Sequence, residues 1–98
     1  MENMSETFLM AYAFSQSDKE EAIRLYSEEL DANPKNIAAW GNRGLCRLEL
    51  SIERKDQNLL QASKEDFRKG LEICEEKNYS RPNVIDANLQ LAEATKFD

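Results

Sequence analysis

The scarcity of helix-breaking residues constrains the fold of this chain more than any other feature. Pro34 and Pro82 are the only prolines in its 98 residues, and there are only three glycines. Elsewhere apolar residues recur three or four positions apart, which is the spacing along one face of an α-helix. No segment shows the alternation of apolar and polar residues, rich in β-branched types, that indicates a strand. The sequence therefore predicts an all-α fold.

Polar breaks divide the chain into five predicted helices, at about 5–14, 19–32, 36–54, 59–77 and 82–97. Asp18, followed three residues later by Glu21, resembles a capping box that starts the second helix. Asn33 ends that helix, because a residue before proline is driven out of the helical conformation. Pro82 suits the first turn of the fifth helix. Short connections between five helices predict an antiparallel array in a single domain spanning residues 1–98.

The apolar residues of each segment indicate which faces are buried. The predicted interior positions of the first four helices are Phe8, Leu9, Tyr12 and Ala13, then Ala22, Ile23, Tyr26 and Leu30, then Trp40, Leu45, Leu48 and Ile52, and finally Leu60, Phe67, Leu71 and Cys74. The fifth helix carries two adjacent apolar stripes, one of Val84, Ala87, Leu91 and Ala94 and another of Ile85, Leu89 and Ala92. Glycines weaken a helix by up to ~1 kcal/mol each relative to alanine, so we expect Gly41 and Gly44 where helices pack closely.

Two consecutive segments carry the most specific pattern in the chain. The first, DKEEAIRLYSEELDANPKN (18–36), is followed by AAWGNRGLCRLEL (38–50). The pattern resembles the tetratricopeptide repeat, a helix-turn-helix unit of about 34 residues. The matching small, aromatic, apolar, proline, large aromatic and glycine positions are Ala22, Tyr26, Leu30, Pro34, Trp40 and Gly44.

The resemblance implies antiparallel helix-turn-helix repeats in a short right-handed superhelical array of five helices. Repeat one would span about 3–36, repeat two about 37–78, and a capping helix about 82–97. The two copies align with an offset of 34 in their first helices and 41 in their second, so repeat two carries seven extra residues between Leu48 and Ser63. We expect both its helices to lengthen into a protruding hairpin, with Ile52 packed against Leu59 or Leu60.

The chain also departs from the repeat pattern at several positions. Met10 replaces a small residue, Glu29 and Gly70 replace alanines, and Glu75 stands where the second copy would have a proline. Among these, Glu29 is the most serious departure, because a carboxylate stands where the family packs a methyl group.

The resemblance further implies a concave groove that binds an extended segment of another protein. The positions carried over are Met4, Thr7, Ala11, Phe14, Ala38, Gly41, Asn42, Leu45 and Glu49. Gly41 would leave room for the backbone of a ligand. Alternatively, Phe14 and Leu45 are ordinary core residues and the chain fills the groove itself. Some family members clamp a terminal carboxylate with Lys and Asn on the first helix. Thr7 and Ala11 stand there instead, which argues against that kind of ligand.

Charge and composition exclude several classes of function. The net charge is −6 and the chain has no histidine. An acidic chain repels nucleic-acid phosphates and anionic membranes, so neither is an expected partner. No apolar run approaches the ~18 residues of a membrane span, and acids stand in the first ten residues where a leader would carry Lys or Arg. We expect a cytoplasmic protein in which Cys46 and Cys74 are buried, reduced thiols.

No catalytic arrangement is visible, and we expect neither an enzyme nor a bound metal or cofactor. The acid pairs at 20–21, 28–29 and 75–76 are interpreted as solvated surface. The predicted function is a small adaptor or scaffold that holds another protein in its groove. The alternative is a structural protein that forms a homodimer, because two repeats are fewer than the three or so of a stable stack. In that case the fifth helix or the long hairpin would pair with a second copy.

Overall fold

The computed structural model describes residues 5–97, and every regular element in that part of the chain is an α-helix. The helices are α1 (Glu6–Phe14), α2 (Lys19–Ala32), α3 (Ile37–Arg54), α4 (Gln57–Glu76) and α5 (Asn83–Ala94). The predicted all-α fold and its five helices are confirmed. The largest difference in bounds is at the end of α5, which stops at Ala94 instead of near residue 97.

Side-chain caps explain where four of the five helices begin. Ser5, Asp18, Asn36 and Asp56 each accept a hydrogen bond from a backbone N–H in the first turn of the helix that follows. These bonds satisfy donors that a helix start leaves without an intrahelical partner. The fifth start, at Pro82, has no side-chain cap.

Packing follows the order of the chain. The close helix pairs are α1–α2, α2–α3, α3–α4 and α4–α5, and α5 also touches α3. The molecule is correspondingly elongated, with extents of 44 × 29 × 19 Å. This neighbour-on-neighbour packing is consistent with a helical repeat arrangement.

Two apolar clusters form the core, and α3 contributes to both. The first cluster contains Phe8, Ala11, Ala22, Leu25, Tyr26, Leu30, Ala39 and Cys46. The second cluster contains Leu48, Leu60, Phe67, Leu71, Ile85, Leu89 and Ala92. One side of α3, which carries Ala39 and Cys46, therefore packs with α1 and α2, and another side, which carries Leu48, packs with α4 and α5.

The interior face predicted for α1 is largely wrong. Phe8 and Ala11 are buried, whereas Leu9 is 55% exposed, Tyr12 is 62% exposed and Ala13 is exposed. Among the described residues α1 packs mainly on α2, so only one of its faces has a close neighbour there. Packing on α4 and α3 likewise determines which of the two apolar stripes of α5 is buried. Its Ile85–Leu89–Ala92 stripe is buried and its other stripe faces outward.

The lengthening predicted for the third and fourth helices is confirmed. Helices α3 and α4 have 18 and 20 residues, against 9 and 14 for α1 and α2. The contact predicted for Ile52 is not what holds this hairpin, because Ile52 is 48% exposed while Leu48 and Leu60 are buried. The end of α3 also reaches the start of α2, where Arg54 forms an ion pair with Glu20 at 2.7 Å.

Gly44 permits the close contact between α3 and α4. A β-carbon at Gly44 would lie 2.7 Å from the ring of Phe67, which is fully buried. This confirms the close packing predicted for Gly44. Gly70 of α4 is different, because a β-carbon there would be 3.5 Å from its nearest neighbours, an ordinary contact distance.

Alanine at these two glycines is expected to change stability in opposite directions. Gly44→Ala forces the buried Phe67 ring to move, and overpacking of that kind costs about 1–3 kcal/mol. Gly70→Ala gains about 0.5–1 kcal/mol, because alanine favours the helix and the space exists. Urea unfolding followed by circular dichroism measures both, and a stabilised Gly44→Ala variant would contradict this packing.

Candidate partner-binding crevice

The predicted groove residues lie on α1 and α3 and differ in accessibility. Two of them, Ala11 and Gly41, are buried, and Glu49 is exposed. Met4 lies outside the described residues. The half-buried positions are Thr7, Phe14, Ala38, Asn42 and Leu45.

On α3 the predicted positions form one stripe, which we call the α3 stripe: Ala38, Asn42, Leu45 and Glu49. Their spacing of four, three and four residues keeps them on one face for three turns. Ala38 packs against the first cluster, as does Phe14 of α1, whereas Leu45 packs against the second. The stripe therefore crosses from one part of the core to the other while its side chains stay partly open to solvent.

The space beside Gly41 belongs to the chain itself. A β-carbon at Gly41 would lie 3.0 Å from two side-chain atoms of Ile85 in α5. The expectation that Gly41 leaves room for a ligand backbone is therefore wrong, since Ile85 occupies that space. The predicted groove is closed at Gly41.

The Tyr26 side chain of α2 is fully buried. Burial raises the pKa of its hydroxyl, Cys46 and Tyr12 raise it further, and Asn42 opposes them. Tyr12 lies on α1, and Cys46 and Asn42 lie on α3, so the hydroxyl is near side chains of both helices. The hydroxyl is buried without a hydrogen-bond partner among the described residues. The ring meets Phe8 edge-on, with centroids 5.7 Å apart.

An ion-pair network holds the opposite side of α3. Asp66 of α4 is 2% exposed and accepts two hydrogen bonds from Arg43, at 3.1 and 2.8 Å, and one from Arg47 at 2.9 Å. Arg43 also donates to Ser27 Oγ of α2 at 3.0 Å and lies over the ring of Trp40. Since successive helical residues are about 100° apart, these arginines point roughly opposite to the α3 stripe. The network thus fixes the rotation of α3 and the direction in which the stripe faces.

Glu29 performs a structural role that the sequence did not indicate. Its carboxylate is 3% exposed and accepts hydrogen bonds from Ser5 Oγ, from Asn33 Nδ2 at 3.0 Å and from Asn36 Nδ2 at 2.9 Å. Ser5 and Asn36 are the caps of α1 and α3. The interpretation of Glu29 as solvated surface is therefore wrong. Asn33 and Asn36, four and seven residues after Glu29, were the only local signal of its partners.

The ionised form of the Glu29 carboxyl group is favoured although the side chain is buried. Desolvation alone would raise its pKa, but the hydrogen bonds from Ser5, Asn36 and Asn33 hold the pKa below the ordinary 4.5. A carboxyl group with a lowered folded pKa stabilises the fold above its unfolded pKa. That stability is lost as the pH falls through the folded value.

Cys46 and Cys74 are free and buried, as predicted. Burial raises the pKa of the Cys46 thiol to about 11, which disfavours the reactive thiolate at neutral pH.

Within residues 5–97 no three His, Cys, Asp or Glu side chains lie close enough together to form a metal site. None of the helices described there combines the length and apolar character needed to cross a membrane.

Comparison of the chain with protein-family models, with curated proteins and with solved structures gave no match. The resemblance to the tetratricopeptide repeat therefore stays a hypothesis that rests on residues 18–50.

Glu29→Gln is expected to destabilise the fold in a pH-dependent manner. Near pH 7 the loss is about 1–3 kcal/mol, because an amide cannot accept from all three donors. As the pH falls below about 4.5 and through the lower pKa of the folded state, the wild type loses the same contribution. The difference in unfolding free energy between the two proteins should therefore shrink, which urea titrations at pH 7, 5 and 3.5 measure. Glu28→Gln, on the exposed neighbour, is the control and should cost under ~0.5 kcal/mol. A pH-independent Glu29→Gln difference would contradict the role assigned to the charge.

Proposed function

We propose that this protein is a binding module that holds a segment of another protein in the crevice between α1 and α3. The observation that carries the proposal is the α3 stripe, which presents Ala38, Asn42 and Leu45 beside Phe14 of α1, all half-buried. Partly accessible apolar side chains supply contact area. An accessible amide can pair with the backbone of an extended segment, and this combination is typical of small binding clefts.

The rigidity of the crevice supports this proposal. Its walls are held by features outside the candidate surface, namely the Glu29 carboxylate at the caps of α1 and α3 and the Arg43–Asp66 pair behind α3. A surface that is already fixed loses less conformational entropy on binding. The closure beside Gly41 confines the proposed segment to Asn42, Leu45 and the side that faces α1.

Charge favours a neutral or basic segment. The chain carries −6 overall, and Glu49 stands exposed at the end of the stripe. Opposite charge across an interface mainly raises the rate of association and the discrimination against wrong partners. We therefore expect binding to weaken as salt is added.

The direct test compares proteins captured from a cell lysate by wild type and by crevice variants, with quantitative mass spectrometry. Asn42→Ala removes the amide. The double variant Asn42→Ala, Leu45→Glu also places a charge at the apolar position of the α3 stripe. Specific partners should fall at least tenfold with the double variant.

Leu9→Glu is the matched control, because Leu9 is 55% exposed and lies on the side of α1 roughly opposite to Thr7 and Phe14. Circular dichroism establishes that each variant is folded. Equal capture of every partner by all four proteins would overturn the crevice proposal.

A second candidate function is structural, through self-association. The observation that favours it is the outward stripe of α5, where Val84 is 71% exposed and Leu91 is 53% exposed. Two large aliphatic side chains so exposed at the end of a short array suit a contact with another protein surface.

A further inference from the structure

The outer face of α5 carries no charge, a feature that it shares with the exposed residues of α1 between Leu9 and Ala13. We define the outer face as Val84, Ala87, Leu91 and Ala94, all of them exposed. These positions span only about 80° of the helix circumference, so they form one straight stripe. The residues on either side of the stripe are also uncharged, namely Asn83, Asn88, Gln90 and Thr95. By contrast, charged residues are 33% of the whole chain.

Both acids of α5 lie away from the outer face and are paired within the chain. Asp86 accepts from Arg81 at 2.9 Å, and Glu93 accepts from Arg68 of α4 at 3.4 Å. A partner that approaches the outer face therefore meets neither free carboxylates nor free cations of α5.

The outer face is complementary to itself. Consider an antiparallel pair of α5 helices related by a two-fold axis that crosses the outer face at the height of residue 89. In that pair Val84 faces Ala94 of the other copy. In the same arrangement Ala87 faces Leu91 of the other copy, because both pairs are symmetric about residue 89. Each large side chain thus meets a methyl group, which lets two helices approach closely. A two-fold contact requires this kind of matching, in which residue i meets j and j meets i.

We propose that a second copy of this chain docks on the outer face of α5, as an antiparallel α5–α5 pair. The proposal rests on the self-association put forward above and gives it a surface and a symmetry. Charge is compatible with a second copy, since two chains of −6 each repel one another least where they meet through uncharged surfaces, whereas a basic partner would gain more at an acidic one.

The pair is expected to be weak. Helix α5 has 12 residues and is therefore about 18 Å long. Two such stripes bury less than the ~800 Å² per partner of a standard interface. We expect a dimer with a dissociation constant of about 10 μM to 1 mM.

The exposed residues of α1 are the competing surface. Leu9 and Tyr12 are more than half exposed and Met10 is 46% exposed. These three spread over about 160° of the helix and do not form one stripe. If the α1 end of one copy met the α5 end of another, the contact would be head-to-tail and would propagate beyond a dimer.

Analytical ultracentrifugation over a concentration range from about 10 μM to 1 mM, with wild type and single-charge variants, tests the surface. Leu91→Lys is expected to weaken dimerisation at least tenfold, whereas Leu9→Lys on α1 and Ile52→Lys on α3 leave it unchanged. All three sites are about half exposed, so the variants should fold, and circular dichroism checks this.

A mixing experiment tests the antiparallel register. Ala87→Glu and Leu91→Lys chains each place two unpaired charges in their own dimer and should stay monomeric. Mixed together, they bring the introduced carboxylate of one chain opposite the introduced ammonium of the other at one contact. The second contact keeps the native Leu91–Ala87 pair, so a heterodimer should form. In a parallel pair positions 87 and 91 do not face each other, and mixing would restore nothing.

The outcomes distinguish a failure of self-association from a failure of the α5 pair. A strict monomer at the highest concentration overturns both self-association and the α5 pair. A dimer that Leu9→Lys abolishes and Leu91→Lys spares, or a species that grows beyond two copies, overturns the α5 pair alone. A dimer that is sensitive to Leu91→Lys without rescue on mixing overturns the antiparallel register. None of these results bears on the crevice between α1 and α3.

Discussion

The close approach of α3 and α4 at Gly44 is the constraint on which the rest of the structure depends. With no β-carbon in the way, the Phe67 ring packs directly on the α3 backbone. At that separation Asp66, the neighbour of Phe67, reaches Arg43 and Arg47. The apolar contact sets the distance between the helices, and the ion pairs set the rotation of α3. Together they determine which side of α3 can face a partner.

Polar groups of α2 then connect α1 with α3. Glu29 joins the caps of α1 and α3 at one end of α2, and Arg43 reaches Ser27 along its side. Breaking a buried, fully bonded carboxylate or ion pair costs more than its net contribution, because the remaining partner is left desolvated. These groups therefore specify one arrangement of the helices, while the two apolar clusters supply most of the stability.

Local signals in the sequence were sufficient to predict where the helices begin and end, but not which of their side chains are buried. Asp18 caps α2 and Asn33 before Pro34 ends it, as predicted, and both act on adjacent residues. Gly44 packs closely, as predicted, although the sequence did not indicate that its contact is Phe67, 23 residues away. The burial of Glu29 depends on Ser5, which is 24 residues away. Leu9 and Tyr12 are exposed because α2 is the one close neighbour of α1 among residues 5–97, and apolar spacing alone cannot show which face that neighbour covers. For the candidate crevice, the sequence placed the α3 stripe on one face but missed Ile85, which closes it beside Gly41.

The central claim is that the accessible part of the α3 stripe, with Thr7 and Phe14, is where a partner segment binds. Backbone chemical-shift mapping of ¹⁵N-labelled protein, titrated with a peptide from a captured partner, addresses it most directly. The largest shifts are predicted to fall on Thr7, Ala38, Asn42, Leu45 and Glu49, with small changes along the outer face of α5. Shifts concentrated on Val84 and Leu91, or on the exposed side of α1, with an unperturbed α3 stripe, would contradict it.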